Sequence, residues 1–272
     1  MTPTEIRSVL ASLGGAPNKR LGQNFLIDKT ALETIVAEAE IEPDDLVLEV
    51  GPGLGVLTGA MIEKGAAVTS VERDRRFAEY LKKKFPKRFD LIEGDASRLE
   101  WENHFKNKNW KFISNLPYSI TSLAIRKALY AKHPPSNLVV LVQKEVAERI
   151  LARDQKHSLV SLMVAFASHE TRLVKKVPPG AFFPSPKVDS AILRVIPMNQ
   201  KERQLIWGMN PELIMSVAKR GFAHPRKLLA SNLGIQASVL EEIGIPAKAR
   251  AEDLSPASWQ ALTLALEQAK NT

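Results

Sequence analysis

Five short apolar runs, each closed by turn-forming or polar residues, constrain this chain more than any other feature. They are LVLEV at 46–50, AAVTSVE at 66–72, FDLIEGD at 89–95, KFISN at 111–115 and NLVVLVQ at 137–143. Runs this short and this apolar read as strands of a buried sheet. Helical spacing fills the intervals: Val56 to Lys64 stops at Gly65, and Arg75 to Phe85 follows the second run. Strands separated by helices imply βαβ crossovers and a parallel sheet, so the expected class is α/β. After Pro197 strand signals cease, and PELIMSVAKR, PRKLLASNL and SPASWQALTLALEQAK carry helical patterns, the last starting at Ser255-Pro256. The expected organisation is a sheet domain over 1–200 and a small helical domain over 201–272. Gly14-Gly15 and their flanks read as a flexible arm over 1–18.

Composition narrows the function. The chain has 272 residues, 44% hydrophobic and 25% charged, enough to bury a sizeable core. It contains no cysteine, which excludes a disulfide framework, thiol catalysis and thiolate-held zinc. The five histidines show no ligand spacing, so no metal is expected. No apolar run approaches the roughly 18 residues of a membrane span, and MTPTEIRSVL lacks the features of a leader. A soluble, cytoplasmic protein with no membrane partner is expected, as a monomer. The net charge of +8 favours a polyanion. It is concentrated in residues 73–88, with eight basic and two acidic side chains, and in Lys219, Arg220, Arg226 and Lys227, with no acid between. A solvated helix face is the competing reading of the second cluster.

Three features fall at successive strand ends. EVGPGLG at 49–55 sets Gly51, Gly53 and Gly55 between a strand and a helix. Glycine permits positive φ and close approach of a ligand to the backbone. The spacing differs from the G-x-G-x-x-G that seats a pyrophosphate, and suits a ligand with ribose and amino-acid parts. Glu72 ends the second strand, where a carboxylate can accept both ribose hydroxyls. Asp95 ends the third, where it can accept from an adenine amine; alone it would read as a helix cap. Asn115-Leu116-Pro117-Tyr118 follows the fourth strand. The Asn115 side-chain carbonyl and the Leu116 backbone carbonyl supply two acceptors for a target amine. Pro117 holds Leu116 extended, and Tyr118 offers a flat face for a base. The four tryptophans, Trp101, Trp110, Trp207 and Trp259, read as core or rim.

The chain resembles the ribosomal RNA adenine N6-dimethyltransferases, most closely their bacterial small-subunit branch. The resemblance rests on LGQNFLID (21–28), EVGPGLGVLT (49–58), VERD (71–74), EGDA (93–96), SNLPYSI (114–120), FFPSPKVDSAILR (182–194) and GFAHPRKLLASNL (221–233). It implies a Rossmann-like sheet binding S-adenosyl-L-methionine (SAM). It also implies dimethylation of two adjacent adenosines in the hairpin near the 3′ end of small-subunit (16S) rRNA, on a pre-30S particle. By the same resemblance Asn24 and Leu26 line the cofactor site, Gly51 lies under the methionine part, and Glu72 holds the ribose. Asp95 meets the cofactor adenine, Asn115 bridges cofactor and target amine, and Phe182 stacks on the base opposite Tyr118. Arg73 departs from the family pattern, which has an apolar residue against the adenine. Arg226 and Lys227 are expected on RNA phosphates. A large-subunit enzyme of the antibiotic-resistance type and a non-catalytic RNA-binding assembly factor are the rivals. The C-terminal piece and the intact NLPY, respectively, argue against them.

Overall fold

The computed structural model describes residues 1–17, 22–105, 108–152 and 155–270. Its strands are β1 (Phe25–Leu26), β2 (Leu46–Val50), β3 (Ala67–Glu72), β4 (Phe89–Glu93), β5 (Trp110–Asn115), β6 (Asn137–Gln143), β7 (Ser168–Val177), β8 (Phe182–Phe183) and β9 (Ser190–Pro197). The helices begin with α1 (Pro3–Ser12), α2 (Lys29–Glu38), α3 (Val56–Glu63), α4 (Arg75–Lys84), α5 (Thr121–Leu129), α6 (Lys144–Ile150) and α7 (Leu159–Ala165). They continue with α8 (Gln200–Trp207), α9 (Pro211–Gly221), α10 (Leu229–Leu233), α11 (Ala237–Glu241) and α12 (Pro256–Lys270).

All five strands read from the sequence form. They lie in a seven-stranded sheet of order β4-β3-β2-β5-β6-β9-β7, parallel from β4 to β6, with β9 antiparallel to β6. The order reverses at β2, whose neighbours are β3 and β5. Open α/β sheets bind ligands at such a reversal, beyond the carboxyl ends of the strands. Here β2 pairs with β3 as far as Val50 but with β5 only as far as Leu48 and Phe112, so the two strands part. The Ser114 hydroxyl donates across the gap to the Val50 carbonyl at 2.7 Å. Helix α2 packs Ala31, Ile35 and Val36 into one core with Val47, Met61, Val68 and Ile113.

The chain divides into two compact units, Met1–Ala147 with Glu170–Pro197, and Glu148–His169 with Met198–Thr272. The helical unit is therefore larger than the expected 201–272. It includes α7, whose LVSLMVA turns Leu162, Met163 and Val164 inward. Phe166, just after α7, sets its ring edge-on to Trp207 at 4.8 Å. Within this unit Trp259 is fully buried on Gly221, where a Cβ would come within 2.4 Å of the indole.

Three expectations need correction. The flexible arm expected over 1–18, of which residue 18 lies outside the described residues, is not seen over Pro3–Ser12, because α1 is a capped helix. Thr2 and Glu5 form a reciprocal capping box, Pro3 opens the first turn, and Ile6 and Leu10 are buried. The sequence reading assigns no strand over β7 or β9; the charges of SHETRLVKKV leave no apolar run in β7, a strand at the sheet edge. The helix expected over PRKLLASNL begins only at Leu229. The Asn232 side-chain amide donates to the carbonyls of Gly221 and His224, at 2.6 and 3.0 Å, and holds the preceding residues as a turn.

Candidate active site

The glycine loop is built on positive φ: +73° at Gly51, +56° at Gly53 and +74° at Gly55, where α3 starts. Side chains would be strained at all three, and at Gly51 and Gly53 they would also enter the crevice. A Cβ on Gly51 would lie 3.0 Å from the Pro117 ring, and one on Gly53 would lie 3.2 Å from the Phe25 ring. The loop after β2 therefore touches the NLPY turn after β5. Asn24, Leu26, Gly51, Glu72, Asp95, Asn115, Leu116, Pro117 and Tyr118 all line one crevice there. The structure brings together nine of the sequence candidates.

Glu72 is 7% exposed at the crevice wall. One carboxylate oxygen accepts the Asp74 backbone N–H at 2.8 Å, and the other accepts that of Gly53 at 3.2 Å. Each oxygen keeps lone-pair capacity for a ligand hydroxyl. Burial pushes its pKa up, opposed by these backbone donors. Asp95 accepts the Ser97 N–H at 2.9 Å, which is the capping role open to it. Arg73 stands 3.6 Å from its other oxygen. Hydrogen bonds from Ser97, with the Arg73 charge behind them, lower the Asp95 pKa. The residue that departs from the family pattern thus sits against Asp95 on the crevice rim.

On the β5 side, the Asn115 amide nitrogen donates to the Asn24 carbonyl at 3.4 Å, which directs its Oδ1 away from that partner. The Pro117 carbonyl is occupied by the N–H of Ile120 at 3.1 Å. The Leu116 carbonyl has no partner among the described residues. The Tyr118 hydroxyl bonds to Ser190 Oγ at 2.7 Å, tying the NLPY turn to the first residue of β9. Phe182 is not in the crevice. It pairs with Leu26 in the β1–β8 ribbon, and its ring, 2% exposed, lies in the main core. A base platform needs an open face, and an apolar ring gains more by leaving water. Tyr118 is the aromatic of the pair that reaches the crevice.

The first basic cluster is largely spent on internal pairing. Arg73, Arg75, Arg76, Lys82 and Arg88 pair with Asp95, Glu79, Asp74, Glu93 and Asp44, and Lys84 donates to the Leu54 carbonyl. In the second cluster Arg220 donates to the Leu233 carbonyl. Arg226 and Lys227 stand exposed on the turn before α10, without a carboxylate partner among the described residues.

Glu49 is the residue that sequence reading missed. It lines the crevice fully buried, and one of its oxygens accepts from Thr58 at 2.6 Å and Ser70 at 3.1 Å. Desolvation outweighs both bonds and pushes its pKa up to about 7. Nothing short of the fold reveals this, because position 49 of a strand reads only as an interruption of apolar residues. A raised pKa means the carboxyl folds at least cost when protonated, so its penalty grows as pH rises from about 4.5 to about 7. Glu49→Gln should therefore gain stability over the unsubstituted chain across that window, by on the order of 3 kcal/mol at the alkaline end. Thermal unfolding of the cofactor-free protein at pH 5 and pH 8 measures it. An equal difference at both pH values would mean that Glu49 is ionised throughout.

A mostly parallel sheet with a glycine loop and a buried carboxylate at its reversal point is the architecture of a SAM-dependent methyltransferase. The cradle of positive-φ glycines and the buried acceptor Glu72 fit that cofactor. Residues 15–268 match the family model of ribosomal RNA adenine dimethylase, and the chain belongs to that family. Over 257 residues it is 40% identical to a ribosomal RNA small subunit methyltransferase A from Dehalococcoides mccartyi, covering 90% of this chain and 87% of the relative. It is 36% identical to the protein of that name from Syntrophotalea carbinolica, over 88% and 92%. Among solved structures it is similar to a dimethyladenosine transferase from Plasmodium falciparum (TM-score 0.75, 24% identity, 90% and 98% covered). It is also similar to the 23S rRNA methyltransferase ErmE (TM-score 0.69, 26%, 90% and 100%). The chain is an rRNA adenine dimethyltransferase. No described helix is long and apolar enough to cross a membrane.

Proposed function

We propose that this enzyme dimethylates, at N6, two adjacent adenosines in the 3′-terminal hairpin of small-subunit rRNA. It acts as a cytoplasmic monomer on a pre-30S particle. The observation that carries the chemistry is the pair of open acceptors beside the glycine loop, Asn115 Oδ1 and the Leu116 carbonyl. Agreement along about nine-tenths of the chain with relatives named for the small subunit supports the choice of RNA.

Bound in the crevice, SAM would supply an electrophilic methyl group, its sulfur–methyl bond breaking to leave the neutral thioether S-adenosylhomocysteine. Glu72 holds the ribose hydroxyls, Asp95 the adenine, and Asn24, Leu26 and Gly51 the remainder. The amine of a target adenine is a poor nucleophile, because its lone pair is delocalised into the ring. Asn115 and Leu116 accept its two hydrogens, favour a pyramidal nitrogen and aim the lone pair at the methyl. The rate gain comes from positioning and from dipoles that meet the positive charge developing on nitrogen. The methylated nitrogen is acidic and loses its proton without a strong base. Tyr118 receives the base extracted from its stack, and its bond to Ser190 fixes the ring. Phe182 acts from behind Leu26, as a wall rather than a platform.

Primer extension across the 3′ hairpin of unmethylated 30S particles, with protein and SAM together, is expected to stop at two adjacent adenosines. No stop there, with a stop in large-subunit RNA offered in a parallel reaction, would favour the alternative reading that the likeness to ErmE supports. Arg226 and Lys227 are assigned to RNA phosphates. Reversing both charges should weaken RNA binding and reduce the magnitude of its log–log salt slope by about 2, since each duplex phosphate contact contributes about 0.9. SAM affinity should stay unchanged, because the crevice is built within the first unit. An unaltered slope would make this turn ordinary surface.

A further inference from the structure

Helix α1 precedes residues 15–268, which match the family model, so its role cannot be taken from that match. Its position is informative. Ile6 and Leu10 pack in one cluster with Phe25, Leu54 and Phe77, and all three of those residues also line the crevice. Leu54 belongs to the glycine loop itself, between Gly53 and Gly55, and is buried. Phe25 is the ring against which Gly53 packs. The Arg7 guanidinium lies 4.7 Å from the centre of the Phe183 ring, in the same ribbon that carries Phe182 and Leu26. After the helix, Gly15 donates to the Leu10 carbonyl at 3.1 Å. Gly15 also packs against Arg76, whose guanidinium holds Asp74 at 2.7 Å. Asp74 in turn donates its N–H to Glu72.

An isolated helix of ten residues is marginal in water, so α1 is helical only to the extent that it is docked. Docked, it fixes the apolar side of the loop through Leu54, and Gly15 just beyond it abuts the Arg76–Asp74 pair next to Glu72. We propose that α1 is a positioning element of the cofactor site, and that α1 docking and cofactor binding are thermodynamically linked. The inference rests on this crevice being where SAM binds. Linkage makes the effect reciprocal: loosening α1 lowers cofactor affinity, and the cofactor stabilises α1.

The probe is S-adenosylhomocysteine, titrated calorimetrically into the full-length chain. The double variant Ile6→Ala, Leu10→Ala is expected to bind it about tenfold more weakly. Leu240→Ala, an equally buried truncation in the second unit, is expected to bind it like the unsubstituted chain. Amide hydrogen exchange in the unsubstituted chain keeps the idea testable should the double variant not fold. Exchange of the Val9 and Leu10 amides is expected to slow several-fold on saturation. Affinity of the double variant within twofold of normal would overturn the linkage, as would unchanged α1 exchange on saturation. Failure of Glu72→Ala to weaken binding, with α1 behaving as expected, would overturn the assignment of the crevice and not the coupling.

Discussion

Replacing Asn115 with alanine is expected to lower the single-turnover methyl-transfer rate about 10²–10³-fold while RNA affinity stays within about twofold. The size follows from removing one preorganised dipole aimed at developing charge. The split follows from how RNA is held, mainly through many phosphates rather than one amine. The structure sharpens the choice of substitution. The Asn115 amide nitrogen is engaged by the Asn24 carbonyl, and Oδ1 is the end presented elsewhere. Asn115→Asp keeps an acceptor but replaces the donor with a charge facing that carbonyl, so it too should be slow. RNA binding that fell in step with the rate would make Asn115 a structural residue of the turn, and the assignment of NLPY to the amine would fail.

What the sequence made legible is the part of the molecule governed by local chemistry. Strands β2, β5 and β6 were readable because both faces are buried and few charges interrupt LVLEV or NLVVLVQ. The crevice was readable because its residues sit at strand ends, where glycine and acid have positional meaning. Legibility failed where tertiary contacts decide. Gly14-Gly15 suggested mobility in the residues before them, yet Ile6 and Leu10 find a cluster supplied by Phe25, Leu54 and Phe77, distant in sequence. Phe182 carries the right motif, but its ring faces the core because β8 pairs with β1 and sets it opposite Leu26. The basic run 73–88 promised a polyanion surface. Its charges instead meet Asp44, Glu79, Glu93 and Asp95, three of which lie outside the run, at 44, 93 and 95. Arg226 and Lys227, fewer in number, remain exposed and without a carboxylate partner among the described residues.

Glu72 should show the largest effect on the cofactor. Two ligand hydroxyls lose their acceptor when it becomes alanine, each worth about 1–3 kcal/mol when buried. The N–H groups of Gly53 and Asp74 lose theirs as well, which loosens the loop. SAM affinity is therefore expected to fall about 100-fold, about 2.8 kcal/mol at 1.4 kcal/mol per decade. The same residue should make binding pH-dependent, with a definite sign. Hydroxyl donors favour the ionised carboxylate, so the cofactor lowers a pKa that burial has raised above the usual 4.5. Affinity is full where Glu72 is ionised in the free protein and declines as pH falls through its raised pKa. Glu49, with a pKa near 7 in the same crevice, would overlay its own titration, so the measurement belongs in a Glu49→Gln background. There, calorimetric titrations at successively lower pH, starting from pH 8, should show SAM binding weaken as Glu72 is protonated, and adding Glu72→Gln should flatten the curve at a lower affinity. A slope that survives Glu72→Gln would place the titrating group elsewhere and remove Glu72 from the ribose.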